Sequence, residues 1–206
     1  ALHDALPIFP SGDAWQPMLL PWARAGVIDF LILATKAGRT REALSDWLPC
    51  LAEDVTLLCL QNGMGQLDDI DLPKRARIMP VVTTNAAFRE AGRVTVVAEN
   101  TTFAGDGNKQ VPPWLGALAP HWPGLAWRTD IHAQQLGKLA ISAVINPLTA
   151  LHRCRNGDLL VASLHAELVA LAAEVDDILG ARDAGWPGGT QDRAEQVARL
   201  TAGNTS

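Results

Sequence analysis

Three cysteines in 206 residues, at positions 50, 59 and 154, are too few and too far apart for a disulfide framework or a zinc site. They read as buried, reduced thiols of a cytoplasmic protein. Basic charge is not in excess either. Against 22 Asp+Glu stand 17 Lys+Arg, a formal net charge of −5, which speaks against the clustered basic face of a nucleic-acid binder. No apolar run approaches the roughly 18–20 residues that cross a bilayer, so no membrane association is expected. The five histidines show no metal-ligand spacing and no acidic partner in register, and no metal is expected. No signal peptide accompanies the N-x-S/T triplets at 100–102 and 204–206, which are chance matches. What is there, 48% hydrophobic and 19% charged residues, is a globular composition able to bury a core in one or two domains.

Both ends read as cut. Residues 2–8 are what CTA-CAC-GAC-GCT-CTT-CCG-ATC encodes, which resembles the tail of a sequencing-adapter oligonucleotide. Residues 1–8 are therefore expected to be an assembly artefact. The chain stops at 206 directly after a helical pattern, so a fragment is expected.

Residues 27–34 and 55–60 are short apolar runs rich in Val, Ile, Leu and Phe, each predicted to be a strand buried on both faces. Residues 39–51 between them predict a helix with Thr40 as N-cap and Leu44, Trp47, Leu48 and Leu51 on one face. A short helix broken by Pro73 is expected within 67–76, then a third strand over 77–82. Strand, helix, strand, helix, strand predicts a right-handed parallel α/β sheet with ligands at the carboxyl ends of its strands. Residues 93–98 and 101–104 read as a late β ribbon on that sheet. The Trp residues at 114, 122 and 127 fall in a turn-rich stretch and are expected to cover a core. From Ile131 the texture is helical, over 131–145, 159–179 and 192–200, with a boundary near Thr129. Leu164, Leu168, Leu171, Val175 and Leu179 have helix-packing spacing, part of which could serve a homodimer. Asp176-Asp177 is expected on a solvated face.

A dinucleotide-binding sheet begins with strand, G-x-G-x-x-G and helix. That loop is absent: Gly63-Met-Gly65 and Gly105-Asp-Gly107 each lack a third glycine. A complete doubly wound sheet would need about 60 further residues upstream, two units of about 30.

Three stretches carry chemistry: Leu33-Ala-Thr-Lys-Ala37, Leu60-Gln-Asn-Gly-Met-Gly65, and the run from Gly137-Lys-Leu-Ala through Ile145-Asn-Pro-Leu-Thr-Ala150 to Cys154-Arg-Asn-Gly157. On a helix, Lys138 and Ser142 share a face as i,i+4 neighbours, and Asn146 lies within about a right angle of it. Pro147 offers no amide proton, so the helix should kink or end there. A lysine among Leu, Ala, Ile and Val is costly to bury unless its ammonium meets acceptors; a snorkelling surface lysine is the plain alternative. Asn62-Gly63 also fits an ordinary tight turn, and Asn156-Gly157 a turn or cap.

Together with Thr83-Thr-Asn-Ala-Ala87, these motifs resemble the ketopantoate reductases (2-dehydropantoate 2-reductases), from about residue 27 to 206. The resemblance implies a truncated Rossmann-like parallel sheet followed by an all-helical C-terminal domain, of the 6-phosphogluconate-dehydrogenase-like type. Residues 9–129 would be a partial nucleotide-binding domain and 130–206 a partial helical substrate and dimerisation domain. It implies reduction of 2-dehydropantoate to pantoate by NADPH, in pantothenate and coenzyme A synthesis, with the isolated piece inactive. By resemblance Lys138 is the general acid, suited to protonate and stabilise a developing alkoxide. Asn146, Asn156 and Asn204 match substrate-holding asparagines, with Ser142 where the family often has another and Ser206 near a family serine. Lys36, Asn62 and the backbone at Ala87 line the NADPH site; Asn85 replaces a histidine of some relatives and takes no role. A related 2-keto acid reductase, or a non-catalytic helical dimerisation or binding module, is the alternative.

Overall fold

A computed structural model describes residues 7–8, 26–90, 93–98 and 100–204. The chain divides into two compact units, 1–132 and 133–206.

The first unit is built on a five-stranded sheet of β2 (Ile28–Leu33), β3 (Leu51–Cys59), β4 (Arg77–Thr83), β7 (Thr102–Ala104) and β8 (Leu125–Trp127), in the order β2-β3-β4-β7-β8. The first three run parallel, β7 is antiparallel to β4, and β8 is parallel to β7. Alternation along the strands splits the apolar side chains between two cores. Leu33, Val55 and Leu57 pack with Leu44 on one face, while Leu58, Met79 and Val81 pack with Trp114, Trp122 and Trp127 on the other. The tryptophans cover a core, as their position predicted.

Several boundaries depart from the sequence reading. Among the described residues strand β2 is at the sheet edge, and it is not buried on both faces: Asp29 and Ile32 are exposed. The helix expected over 39–51 is only α1 (Thr40–Ser45), followed by a 3-10 turn, Leu48–Cys50. Pro49 lacks a donor and disfavours helix before it, so β3 begins at Leu51 rather than 55. Thr40 is not the cap; it is the first helical residue, and its hydroxyl donates to the Ala37 carbonyl at 2.7 Å. Residues 67–76 form turns and no helix, since the Asp residues and Pro73 favour turns. Leu67, Ile70 and Leu72 still cover the sheet core from that segment. The late ribbon divides. Residues 102–104 join the main sheet, but β6 (Arg93–Ala98) pairs with β5 (Ala86–Glu90) and β1 (Pro7–Ile8) in a separate three-stranded sheet.

The second unit is helical throughout its described residues: α3 (Ile131–His152, its first residues in the preceding unit), a 3-10 turn (Asn156–Leu160), α4 (Ala162–Arg182) and α5 (Thr190–Leu200). Its cores join Val144, Ile145 and Leu148 of α3 to Leu168 and Ala172 of α4 and Ala194 and Ala198 of α5, and Leu136 and Ala140 to Leu179. Leu164, Leu171 and Val175 pack there, as their spacing predicted. Helix α3 does not end at Pro147, because Leu148 and Thr149 beyond it remain buried. No helix among the described residues is long and apolar enough to cross a membrane. The three cysteines are free thiols.

Candidate active site

In the sheet unit, the register of β2 and β3 shifts between Ile28 and Phe30 and then holds to their carboxyl ends, with Leu33 opposite Cys59 and the Leu60 amide donating to the Leu33 carbonyl at 2.9 Å. Lys36 and Asn62 follow those last paired residues by equal steps. They therefore lie just beyond the carboxyl ends of neighbouring parallel strands, where such sheets take ligands. Both are exposed. Lys36 precedes the 3-10 turn Ala37–Arg39 in extended backbone, and its carbonyl accepts the Arg39 amide at 2.9 Å. Asn62 begins a turn in which Gly63 and Gly65 have φ of 89° and 81°, a region that glycine enters without a Cβ penalty. The Asn62 carbonyl accepts Gln66 Nε2 at 2.7 Å. The segment is thus a tight turn, as one reading held, and it leaves Asn62, Gly63 and Met64 open to solvent. Ala87 lies in β5, opposite Val96, beside a register shift between Ala86 and Ala87.

Sequence reasoning passed over Gln61, although it sits between a buried strand and an exposed turn. It is 8% exposed. Its Nε2 donates to Thr35 Oγ1 at 3.0 Å and to Thr40 Oγ1 at 2.6 Å. Its Oε1 has no hydrogen-bond partner among the described residues.

In the helical unit, α3 runs unbroken under Lys138, Ser142 and Asn146, so the three share a stripe over successive turns. At 100° per residue that stripe lies away from Leu136, Ala140 and Val144, which face the core. Lys138 is half-buried, and this burial holds its pKa below the ordinary lysine value. Asn146 is exposed. Neither Lys138 nor Asn146 is free of interactions.

A second group forms where the 3-10 turn meets the chain beyond α5. The Asn156 amide donates to the Asn204 carbonyl at 2.9 Å, and Asn156 Nδ2 to Thr201 Oγ1 at 2.8 Å. A Cβ at Gly157 would stand 2.8 Å from the Ala202 Cβ, so glycine permits this close approach. Asn156 Oδ1 is buried without a partner among the described residues, while Asn204 is exposed. Asn156 is thus a structural tie, as the turn reading held, with one acceptor left over. Ser206 lies outside the described residues.

Two exclusions from the sequence need correction. Histidines do have acidic partners: His152 Nε2 lies 2.9 Å from Glu167 Oε2, and His165 Nε2 2.9 Å from Glu195 Oε1. These pairs bring together residues far apart in sequence, which spacing does not reveal. Asp177 is exposed as expected, but Asp176 is partly buried and accepts the Trp186 indole N–H and the amide and hydroxyl of Thr190. Burial acts to raise its pKa, and those donors overcome it and lower the value. Among the described residues no cluster could hold a metal ion.

Family models described as Ketopantoate reductase PanE/ApbA and Ketopantoate reductase PanE/ApbA C terminal match residues 8–109 and 130–206. A 2-dehydropantoate 2-reductase of Yersinia pestis is 34% identical over 189 residues, covering 86% of this chain. The chain spans 59% of that relative's length. A dimeric ketopantoate reductase from Staphylococcus aureus has the same fold, with a TM-score of 0.80 at 17% identity over 95% of this chain and 68% of its own. D-mandelate dehydrogenase, solved with NADH and anilino(oxo)acetate, matches with a TM-score of 0.77 at 19% identity, over 95% of this chain and 67% of its own.

Proposed function

This chain belongs to the ketopantoate reductase family, and we propose that the full-length protein reduces 2-dehydropantoate to pantoate with NADPH. The observation that carries the reading is Lys138: a half-buried ammonium with a lowered pKa, in the family's helical motif and in line with Ser142 and Asn146.

The residues present fit part of a dinucleotide site. A cation and an amide project beyond adjacent strand ends, and the Gly63–Gly65 turn keeps backbone open to a ligand. Lys36, Asn62 and the backbone at Ala87 would hold NADPH, which when bound supplies the hydride. Lys36 binds by charge and Asn62 by amide hydrogen bonds. Lys138 Nζ donates a proton to the substrate's C2 carbonyl oxygen, and desolvation makes that ammonium a readier acid than one in water. Asn146 and Asn204 orient the substrate's carboxylate through their amide N–H groups, and Asn156 Oδ1 accepts from its hydroxyl, with Ser142 and Ser206 beside them. The product feeds pantothenate synthesis, and the protein acts in the cytoplasm as a homodimer.

Lys138→Met tests this. The full-length variant keeps its melting temperature and loses about 10²–10⁴-fold in kcat, the span of general acid catalysis. Unchanged turnover would favour a non-catalytic helical module. A related 2-keto acid reductase is the nearer rival, favoured by Ser142 in place of an asparagine and by the D-mandelate dehydrogenase fold. Comparing kcat/KM over a panel of 2-keto acids with NADPH and NADH separates the two.

A further inference from the structure

The geometry points to Gln61 as a positioning residue that fixes the cofactor cation Lys36 against Asn62. This rests on reading the chain as part of a dinucleotide-dependent reductase. Lys36 itself is exposed, so its own side chain is not held in place by burial. Its two neighbours in sequence, however, are both tied to one buried amide. Thr35 accepts directly from Gln61 Nε2. Ala37 is tied through Thr40, whose hydroxyl accepts from Gln61 Nε2 and donates to the Ala37 carbonyl. Gln61 in turn is covalently joined to Asn62, and the preceding residue, Leu60, is locked to Leu33 by the β2–β3 ladder. The turn carrying the cation and the turn carrying the amide thus move as one piece, linked by a side chain that touches neither functional group.

Gln61 is a poor choice for stability alone. Its Nε2 is satisfied twice while its Oε1 is buried with no donor among the described residues, and an unmet buried acceptor is a penalty that an apolar side chain of equal size would not carry. Thr40, at 2% exposure, donates its one proton to Ala37 and so has only an acceptor to offer Gln61. This fixes the amide's orientation and leaves the oxygen unmet. A site-positioning role accounts for retaining it.

The experiment uses the full-length protein with Gln61→Met, which preserves volume and removes both hydrogen bonds. Expected are a melting temperature close to wild type, a rise of about 10–100-fold in KM and Kd for NADPH, on the scale known for outer-shell partners of metal ligands, and nearly unchanged kcat at saturating NADPH. Thr40→Val, which cuts the arm to Ala37 and leaves the arm to Thr35, should show a smaller rise, and the double variant should be no worse than Gln61→Met alone. Thr40→Ser, which keeps the hydroxyl, should retain wild-type affinity. If Gln61→Met does not fold, Thr40→Val and Thr40→Ser carry the comparison. Wild-type affinity in Gln61→Met, or equal losses in Thr40→Val and Thr40→Ser, overturns the inference. A wild-type protein that binds neither NADPH nor NADH overturns the parent reading instead.

Discussion

Lys36 and Asn62 stand in water beyond the ends of β2 and β3, whereas Lys138 and Asn156 are drawn into α3 and the turn after it. The first pair is placed by backbone: strand register, glycines at positive φ, and one buried amide behind them. The second is placed by packing, with α3 pinned by Leu136, Ala140, Val144 and Leu148, and Asn156 tied to Thr201. The difference has chemical consequences. An exposed ammonium recognises charge without being desolvated, while a half-buried one has its proton affinity lowered and can serve as an acid. In the proposed reaction the sheet unit supplies the binding cation, Lys36, and the helical unit the acid, Lys138.

The largest expected effect tests the reacting half. Beyond the loss in Lys138→Met, the wild-type kcat should fall on the alkaline side at a pH below the ordinary lysine value of 10.5, because burial lowers the Lys138 pKa. An alkaline limb at or above that value would mean that burial does not lower the Lys138 pKa. Next comes the packing that holds the helical unit. Asp176→Asn replaces a carboxylate that accepts from Trp186 and twice from Thr190, joining α4 to the start of α5. Hydrogen bonds to a charged group contribute about 1.5–3 kcal/mol, so calorimetry should show melting lowered by several degrees. Hydrogen exchange should quicken in α4 and α5, and β2–β4 should be spared.

The same contrast explains what could be read from the chain. Strands β2 and β4 were legible because continuous apolar runs admit few alternatives, and α4 because Leu164 to Val175 repeat at helical spacing. The shortened α1 is written in Pro49, a local signal that competes with the apolar face of Trp47, Leu48 and Leu51. Pro147 misled in the opposite direction, since nothing local says that Leu148 and Thr149 are buried beyond it. Lys138 in the helical unit and Asn62 in the sheet unit each stood out because motif and chemistry coincide at those positions. Gln61 did not, because its partners Thr35 and Thr40 lie on another strand's exit, and only register brings them within reach. The His152–Glu167 and His165–Glu195 pairs were hidden for the same reason.

The binding half is tested more gently. In Gly63→Ala a Cβ enters left-handed backbone, at a cost of about 1–2 kcal/mol, and stands 3.1 Å from Gln66 Nε2. Melting of the sheet unit should drop by a few degrees and NADPH affinity weaken, with exchange in α3–α5 unchanged; loss confined to the helices would contradict placement by backbone. The smallest effect is visible only in acid. Glu195 is held by hydrogen bonds from Gln191, His165 and Arg199, which lower its pKa from 4.5 to about 2. In the unfolded chain the same carboxylate takes up its proton near 4.5, so between those values the unfolded state binds more protons and stability rises with pH. The contribution is complete above 4.5 and lost as pH falls toward 2. Glu195→Gln removes that titration, so urea midpoints of the helical unit should depend less steeply on pH across this window than in the wild type, while the sheet unit keeps its own dependence. An identical slope in both proteins would mean that the carboxylate is no better held in the folded helices than in the open chain.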